Sequence, residues 1–155
     1  MFSNDLVCDI LIYIENNINL QITIDELSKT FNFDRTYIMK KFKKELSVSI
    51  IDYINKVRIY NSLKDYKSND YILRIALKNG FQSLEYYSEM FKRIMNVNPR
   101  TYKKSISSIN SVKEVELRNI IRTMIELQEL KERCENYKTS RKLKELPVKK
   151  LSIFK

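Results

Sequence analysis

The sequence predicts an all-α protein: two helix-turn-helix subdomains joined by a long linker helix, about seven helices in all, then a C-terminal amphipathic helix. Three observations predict this fold class: scarce glycine and proline, apolar residues at helical spacing, and an internal repeat. One glycine and two prolines in 155 residues leave few positions at which strands could turn, which favours helices with short connections. The length suffices for one or two small domains with a buried core.

The first helix-turn-helix subdomain is predicted over about residues 4–47 and begins with two helices. A polar start followed by an apolar stripe indicates a helix over about residues 6–17. Thr23 and Glu26 fit a capping box for the second helix, in which threonine accepts from the third helical amide and glutamate reaches back. We expect this helix to end at Asn32, because asparagine tolerates a left-handed turn.

A third helix and the linker helix follow. Asp34 is placed to cap the third helix, over about residues 35–46, and the linker helix is predicted over about residues 50–66. The side chains expected in the core are Tyr37, Ile38 and Phe42 from the third helix, and Ile51, Ile54, Ile59 and Leu63 from the linker helix.

The second helix-turn-helix subdomain is predicted over about residues 70–104. Asp70 is placed to cap a helix that reaches Asn79, and the only glycine, Gly80, can supply a positive φ in the turn. Ser83 is placed to cap the next helix. The apolar residues of that helix recur at helical spacing and are Tyr87, Met90, Phe91 and Ile94.

The two subdomains also repeat each other in sequence. Phe42-Lys43-Lys44 returns 49 residues later as Phe91-Lys92-Arg93, and Asn32-Phe33 returns 48 residues later as Gly80-Phe81. One residue is therefore inserted in the second turn. Any two amphipathic helix pairs share some pattern, but matches in register at both turns favour a tandem duplication.

Composition limits the function. A formal net charge of +10 and a pI near 9.5 point to a polyanionic partner, nucleic acid first and a membrane surface second, or else to a solvated basic surface. The chain has no histidine and only two distant cysteines, which argues against zinc sites, disulfide frameworks and histidine-dependent catalytic triads. No apolar run is long enough to span a membrane, and the N-terminus does not resemble a signal peptide.

These patterns together resemble the DNA-binding domain of the AraC/XylS family of bacterial transcription regulators, over about residues 6–104. The signature positions in the second half are Ile75-Ala76, Gly80-Phe81, Ser83, Tyr86-Tyr87, Phe91-Lys92-Arg93, Pro99 and Tyr102. The resemblance implies a cytoplasmic, nucleoid-associated regulator that is no enzyme and needs no cofactor. It would bind double-stranded DNA through two recognition helices in adjacent major-groove segments and contact RNA polymerase.

A recognition helix presents its N-terminal, outward side chains to base edges. In the first subdomain those positions are Arg35, Thr36, Met39 and Lys40. By resemblance the last three align with base-contacting positions of the family. Lys40 could donate to guanine, and Thr36 and Met39 could contact a thymine methyl group.

In the second subdomain the positions aligned with the family's base readers are Leu84, Glu85, Ser88 and Glu89. Phosphates repel the two glutamates, so either each accepts from a cytosine amino group or they pair on the helix surface with Lys92 or Arg93. Candidate phosphate-binding residues are Lys43, Lys44, Lys92, Arg93, Arg100, Lys103 and Lys104. A solvated charged face is the other interpretation of these cations.

A linker is predicted over residues 105–111, and a helical, basic extension over residues 112–155. Its helix is expected over about residues 112–137, with an apolar stripe of Leu117, Ile121, Met124, Leu127, Leu130 and Cys134. Three roles are open: a short coiled coil that forms a homodimer, a helix packed on the DNA-binding domain, or a stalk. The basic end could add nonspecific DNA affinity or be a disordered tail. Residues 146–154 have strand-like character and suggest the start of a further domain.

The leading functional prediction is a sequence-specific DNA-binding transcription regulator, with no membrane association. A second interpretation is a helical protein-interaction module or adaptor on a DNA-binding fold, with weak or no specific DNA binding. Nothing in the sequence specifies the target site, an effector, the oligomeric state or the sign of regulation.

Overall fold

The computed structural model describes residues 5–108, 110 and 112–145, and the secondary structure in this part of the chain is helical throughout. The helices are α1 (Leu6–Asn16), α2 (Ile24–Phe31), α3 (Arg35–Leu46), α4 (Ile50–Ser62), α5 (Ile72–Lys78), α6 (Leu84–Met95), α7 (Pro99–Ser107) and α8 (Glu114–Glu145). A 3-10 turn, Leu63–Lys67, extends α4. The predicted all-α class is confirmed, while the strand-like residues 146–154 lie outside the described residues.

The described chain forms two compact units. Unit 1 comprises residues 5–17, 22–50 and 130–145, and unit 2 comprises residues 18–21 and 51–129. Helix α8 therefore supplies its first half to unit 2 and its second half to unit 1.

The predicted caps organise the helices of unit 1. Thr23 Oγ1 accepts from the Glu26 amide at 3.1 Å, and Asp34 Oδ1 accepts from the Thr36 amide at 2.8 Å. The Glu26 carboxylate accepts a hydrogen bond from the Tyr13 hydroxyl instead of reaching back to the Thr23 amide, so only the threonine half of the predicted capping box forms among the described residues. The apolar faces that these caps orient form a core of Val7, Ile10, Leu11, Ile14, Leu27, Ile38, Phe42 and Leu46.

Two predicted core positions are wrong. Tyr37 is 48 % exposed, because α3 turns Ile38 and Phe42 inward and leaves Tyr37 on the adjacent outer face. Ile51 is likewise exposed, since Ile50 and Ile54 take the inward positions on α4. In both helices more apolar residues lie close together in sequence than the buried face can hold.

The core of unit 2 surrounds a small polar centre. The Tyr87 hydroxyl lies 2.9 Å from Ser62 Oγ and 2.8 Å from the Tyr66 hydroxyl. Burial raises the pKa of Tyr87 to about 12, so its phenol stays protonated at neutral pH. Apolar side chains close around this centre and include Ile59, Leu63, Ala76, Phe81, Phe91, Met95, Val97, Tyr102, Ile120 and Leu127.

The turn between α5 and α6 requires its glycine. Gly80 has φ +89°, and a Cβ there would lie 2.7 Å from the Ile18 carbonyl oxygen and 2.9 Å from Arg58 Nε. Arg58 donates to the Ile18 carbonyl at 2.8 Å and to the Leu20 carbonyl at 2.6 Å. The turn therefore has room for this arginine and the backbone it binds only because residue 80 has no side chain.

The start of α5 differs from the prediction. Tyr71, not Asp70, occupies the N-cap position, and its side chain makes no capping hydrogen bond. Asp70 instead accepts from Ser68 Oγ at 3.1 Å and lies 3.9 Å from Arg74. The Asp70 carboxylate, which the sequence predicted as the helix cap, thus interacts with neighbouring side chains instead.

Helix α8 is longer than predicted, and the face that it buries differs from the predicted apolar stripe. It runs from Glu114 to Glu145, while α7 occupies the first residues of the predicted linker, 105–111. Leu127, Leu130 and Cys134 are buried as predicted, but Ile121 and Met124 are exposed. Ile120 and Thr123 are buried in their place, so α8 packs within both units, in line with one of its three open roles.

Candidate nucleic-acid interface

The outward face at the start of α3 carries the four predicted base-reading residues of the first subdomain. Asp34 fixes the helix start, and the opposite face is committed to the core through Ile38 and Phe42. The four side chains left in solvent are Arg35, Thr36, Met39 and Lys40. The structure thus brings them together on one accessible face.

Arg35 already has an anionic neighbour. Its Nη1 lies 3.2 Å from Asp25 Oδ1, and both side chains are more than half exposed. Exposed ion pairs contribute little stability, typically about 0–1 kcal/mol. The guanidinium can therefore exchange Asp25 for a phosphate or a base edge at small cost.

An exposed aromatic pair lies beside these residues. Phe33 and Tyr37 stack with ring centroids 5.3 Å apart and planes at 21°, although both are nearly half exposed. Tyr37 was expected in the core, so its exposed ring is a feature that the sequence did not predict. Tyr86, which corresponds to Tyr37 in the second copy of the repeat, is also exposed. A tyrosine at the same place in both copies is the sequence signal that could have indicated an outward-facing ring.

The start of α6 is built in the same way. Ser83 Oγ accepts from the Tyr86 amide at 3.1 Å, which confirms the predicted cap. Leu84, Glu85 and Glu89 are exposed, and Ser88 is half-buried. The face therefore carries two carboxylates where α3 carries a lysine and a threonine.

The glutamates do not pair with the next turn of α6. Arg93 instead lies 3.6 Å from Asp52 on α4, and within the described residues neither Glu85 nor Glu89 has a cation within 4.0 Å. The two carboxylates are left facing solvent.

A groove of about 720 Å³ opens beside α6 in unit 2. Leu84 and Ser88 of α6 line it together with Arg100 and Lys103 of α7. Tyr71, which is 83 % exposed, lines the groove from the start of α5. Sequence reasoning missed Tyr71, since an exposed aromatic residue outside a helical stripe carries no periodic signal.

The remaining predicted phosphate contacts sit on solvent-facing turns. Lys43 and Lys44 lie in the last turn of α3, as Lys92 and Arg93 do in α6. Lys104 is exposed on α7, and Lys103 is half-buried. The basic last turn of each recognition helix is thus repeated in the structure as it is in the sequence.

The described part of the chain lacks the features of two other kinds of site. None of its helices has the length and apolar character needed to cross a bilayer. No three His, Cys, Asp or Glu side chains there are grouped so that they could hold a metal ion.

Comparison with known proteins identifies the family. A helix-turn-helix domain model matches residues 27–105. The HTH-type transcriptional activator AarP of Providencia stuartii is 24% identical over 112 residues, 72% of this chain and 83% of its own. The transposon Tn10 TetD protein of Escherichia coli is 28% identical over 105 residues, 67% of this chain and 76% of its own.

Solved structures support the fold. The C-terminal domain of AraT, a response regulator from Geobacillus stearothermophilus, superposes with TM-score 0.62 at 23% identity, over 68% of this chain and 88% of that one. The DNA-binding domain of AdpA, solved with a target DNA, gives TM-score 0.62 at 14% identity, over 71% of this chain and all of that one (100%). With its repeated helix-turn-helix architecture and the domain match, the chain belongs to the AraC-type helix-turn-helix family of DNA-binding transcription regulators.

Proposed function

We propose that this regulator recognises a specific double-stranded DNA site by placing α3 and α6 in adjacent major-groove segments. The observation that carries the proposal is the exposed N-terminal face of each helix, opposite a core-facing side and followed by a basic last turn. Such a helix presents base-reading side chains first and phosphate-binding side chains after them. A single chain could then read an asymmetric site.

Helix α3 would supply most of the sequence discrimination. Lys40 can donate to guanine O6 or N7, while Thr36 and Met39 offer apolar contact to a thymine methyl group. Tyr37, exposed on the adjacent face, adds a further apolar surface for a base edge or a sugar.

Helix α6 would contribute less to affinity. Glu85 and Glu89 carry charge that the phosphates repel, so each favours binding only where it accepts from a cytosine amino group. Leu84 and Ser88 remain as soft contacts. We therefore expect fewer specified base pairs under α6 than under α3.

The groove beside α6 would seat the DNA backbone. Arg100 and Lys103 line it, and their charges can bind a phosphate while the apolar part of the lining contacts the sugar. Phosphate contacts fix register and orientation without reading sequence. This unit would then dock on DNA even where α6 reads few bases.

The protein would act in the bacterial cytoplasm, associated with the nucleoid, and would contact RNA polymerase at its promoters. The exposed Ile121, Met124 and Ile125 of α8 are where a second copy could pair through residues 112–137. Analytical ultracentrifugation of the wild type and an Ile121→Glu variant tests the pairing: a monomer that does not change on mutation rules it out.

Selection of bound duplexes from a random pool tests the specific function. The proposal expects one enriched asymmetric site with two segments about one helical turn apart. Enrichment of a single short segment would remove α6 from base recognition. If no sequence is enriched, the second candidate function, a protein-interaction module, takes its place; the exposed carboxylates of α6 favour that candidate.

A further inference from the structure

Helix α8 lies outside the residues matched by the family domain, 27–105. It nevertheless forms part of both units, with its first half in unit 2 and its second half in unit 1. One of its hydrogen bonds to each recognition helix falls at the same kind of place, the C-terminal end, where the last carbonyl groups of a helix lack intrahelical partners.

In unit 1 the contact is made by Arg133. Its Nη2 donates to the Leu46 carbonyl oxygen at 2.8 Å. Leu46 is the last residue of α3, and Ser47 after it turns the chain away with a left-handed φ of 59°. The guanidinium thus satisfies an otherwise unpaired carbonyl and places a positive charge at the negative end of the helix dipole.

Arg133 is presented from a fixed part of α8. Leu130 and Cys134 on either side of it are buried. Farther along, the Tyr137 hydroxyl donates to Asp5 at 3.1 Å, and Arg141 Nε lies 3.2 Å from the same carboxylate. The side chain that holds α3 is therefore itself anchored, through α8, to the start of α1.

Lys138 strengthens this anchor. Its ammonium is largely buried and pairs with Glu15 on α1 and with Glu135 one turn back, the latter at 2.8 Å. Burial lowers the pKa of Lys138, but the hydrogen bonds that its ammonium donates to Glu135 and Glu15 outweigh this effect, so the pKa is raised and the charge persists at neutral pH.

In unit 2 the corresponding contact is made by Thr123. Its Oγ1 accepts from Asn96 Nδ2 at 3.5 Å, a long and weaker hydrogen bond. Asn96 is the left-handed C-cap of α6, with φ 62°, and stands 49 residues after Ser47, the repeat offset. Ile120 and Leu127, on either side of Thr123, belong to the core of this unit.

We propose that α8 is a positioning element for DNA binding, in which Arg133 holds the end of α3 and Thr123 holds the end of α6. Neither residue needs to touch DNA. Each restrains the turn that terminates a recognition helix, so that the base-reading face at the other end keeps its orientation. The proposal rests on the proposed function of α3 and α6.

The test compares Arg133→Met with Arg122→Met. Both remove one positive charge from α8, but Arg122 is exposed, and among the described residues its hydrogen bond goes to Asn119 in its own helix. We expect Arg133→Met to weaken binding to the selected site about tenfold more than the control does, which corresponds to about 1.4 kcal/mol. Binding to random duplex and its salt dependence should match the control, and Arg133→Lys should restore part of the loss.

Three results would overturn the proposal. Equal affinities of the two variants for the selected site would remove the positioning role. A loss on random duplex accompanied by a salt slope about 0.9 smaller than that of the control would make Arg133 a phosphate ligand instead. Unchanged hydrogen exchange in the last turn of α3 in Arg133→Met would show that the restraint does not exist.

A second variant keeps the test informative if Arg133→Met does not fold. Thr123→Val preserves shape and removes the acceptor for Asn96, and we expect about a twofold loss confined to the selected site. No loss there would remove the α6 half of the proposal. If the wild-type protein binds no sequence in preference to random duplex, the proposed function is refuted. If the wild type prefers the selected site and both variants keep that preference in full, only the role of α8 is refuted.

Discussion

Replacing Gly80 by alanine tests why the fold uses its only glycine where it does. The backbone there has φ +89°, a region that costs a residue with a side chain about 1–3 kcal/mol. The new Cβ would also lie 2.7 Å from the Ile18 carbonyl oxygen and 2.9 Å from Arg58 Nε. Relieving that overlap must disturb the hydrogen bond between these two groups, and a bond to a charged donor contributes about 1.5–3 kcal/mol.

The two effects together predict that Gly80→Ala lowers the free energy of unfolding by about 2.5–6 kcal/mol. Urea denaturation followed by circular dichroism measures this directly. In a double-mutant cycle, Arg58→Ala and Gly80→Ala should destabilise together by clearly less than the sum of the single changes, since both disrupt the same contact. A loss below about 1 kcal/mol, or full additivity with Arg58→Ala, would refute the reasoning.

Three further changes probe the recognition helix and the core. Lys40→Ala should cost about 1–3 kcal/mol on the selected site and relax preference at one base pair; an equal loss on all duplexes, in a competition assay, would reassign Lys40 to a phosphate. Tyr37→Ala should weaken binding to the selected site while changing the free energy of unfolding by less than about 1 kcal/mol, because the ring is half exposed; a core residue would give the reverse pattern in the same two assays. Burial raises the pKa of the Asp65 carboxyl, but hydrogen bonds from Asn79 and Lys78 lower it more, and the net shift is downward. The stability that Asp65 contributes is therefore present above its ordinary pKa of about 4 and is lost as the pH falls below that value. Denaturation from pH 7 to pH 2 should show Asp65→Asn losing less stability than the wild type, and parallel curves would contradict the shift.

Local chemistry made much of the fold predictable. Thr23, Asp34 and Ser83 cap their helices as expected, because a cap depends only on a side chain and an amide two or three residues away. The left-handed end at Asn32 was predictable for another local reason, since asparagine tolerates a positive φ. The internal repeat showed in addition that the second subdomain has the same architecture as the first. The pattern of a single helix could not have revealed this.

The errors arose where tertiary packing chooses between neighbouring faces. Tyr37, Ile51 and Ile121 each lie next to another apolar residue, and only the folded chain decides which of the two is buried. Asp70 does not cap α5, because its carboxylate interacts with Ser68 and Arg74.

Long-range contacts were beyond the sequence altogether. Arg133 and Leu46 are 87 residues apart, and nothing local marks either as a partner of the other. The groove lined by Tyr71 and Arg100 likewise joins segments that no periodicity connects. The base-reading residues themselves stay predictions, supported by their exposure on α3 and α6.

The most direct test of the account is the affinity of the wild-type chain for its selected duplex and for a random duplex between about 50 and 200 mM salt. We expect log K for both duplexes to fall steeply with log salt, by about 0.9 for each phosphate neutralised. The selected site should bind at least about a thousandfold more tightly than the random one. A flat salt dependence, or equal affinity for the two duplexes, would contradict recognition of DNA by α3 and α6.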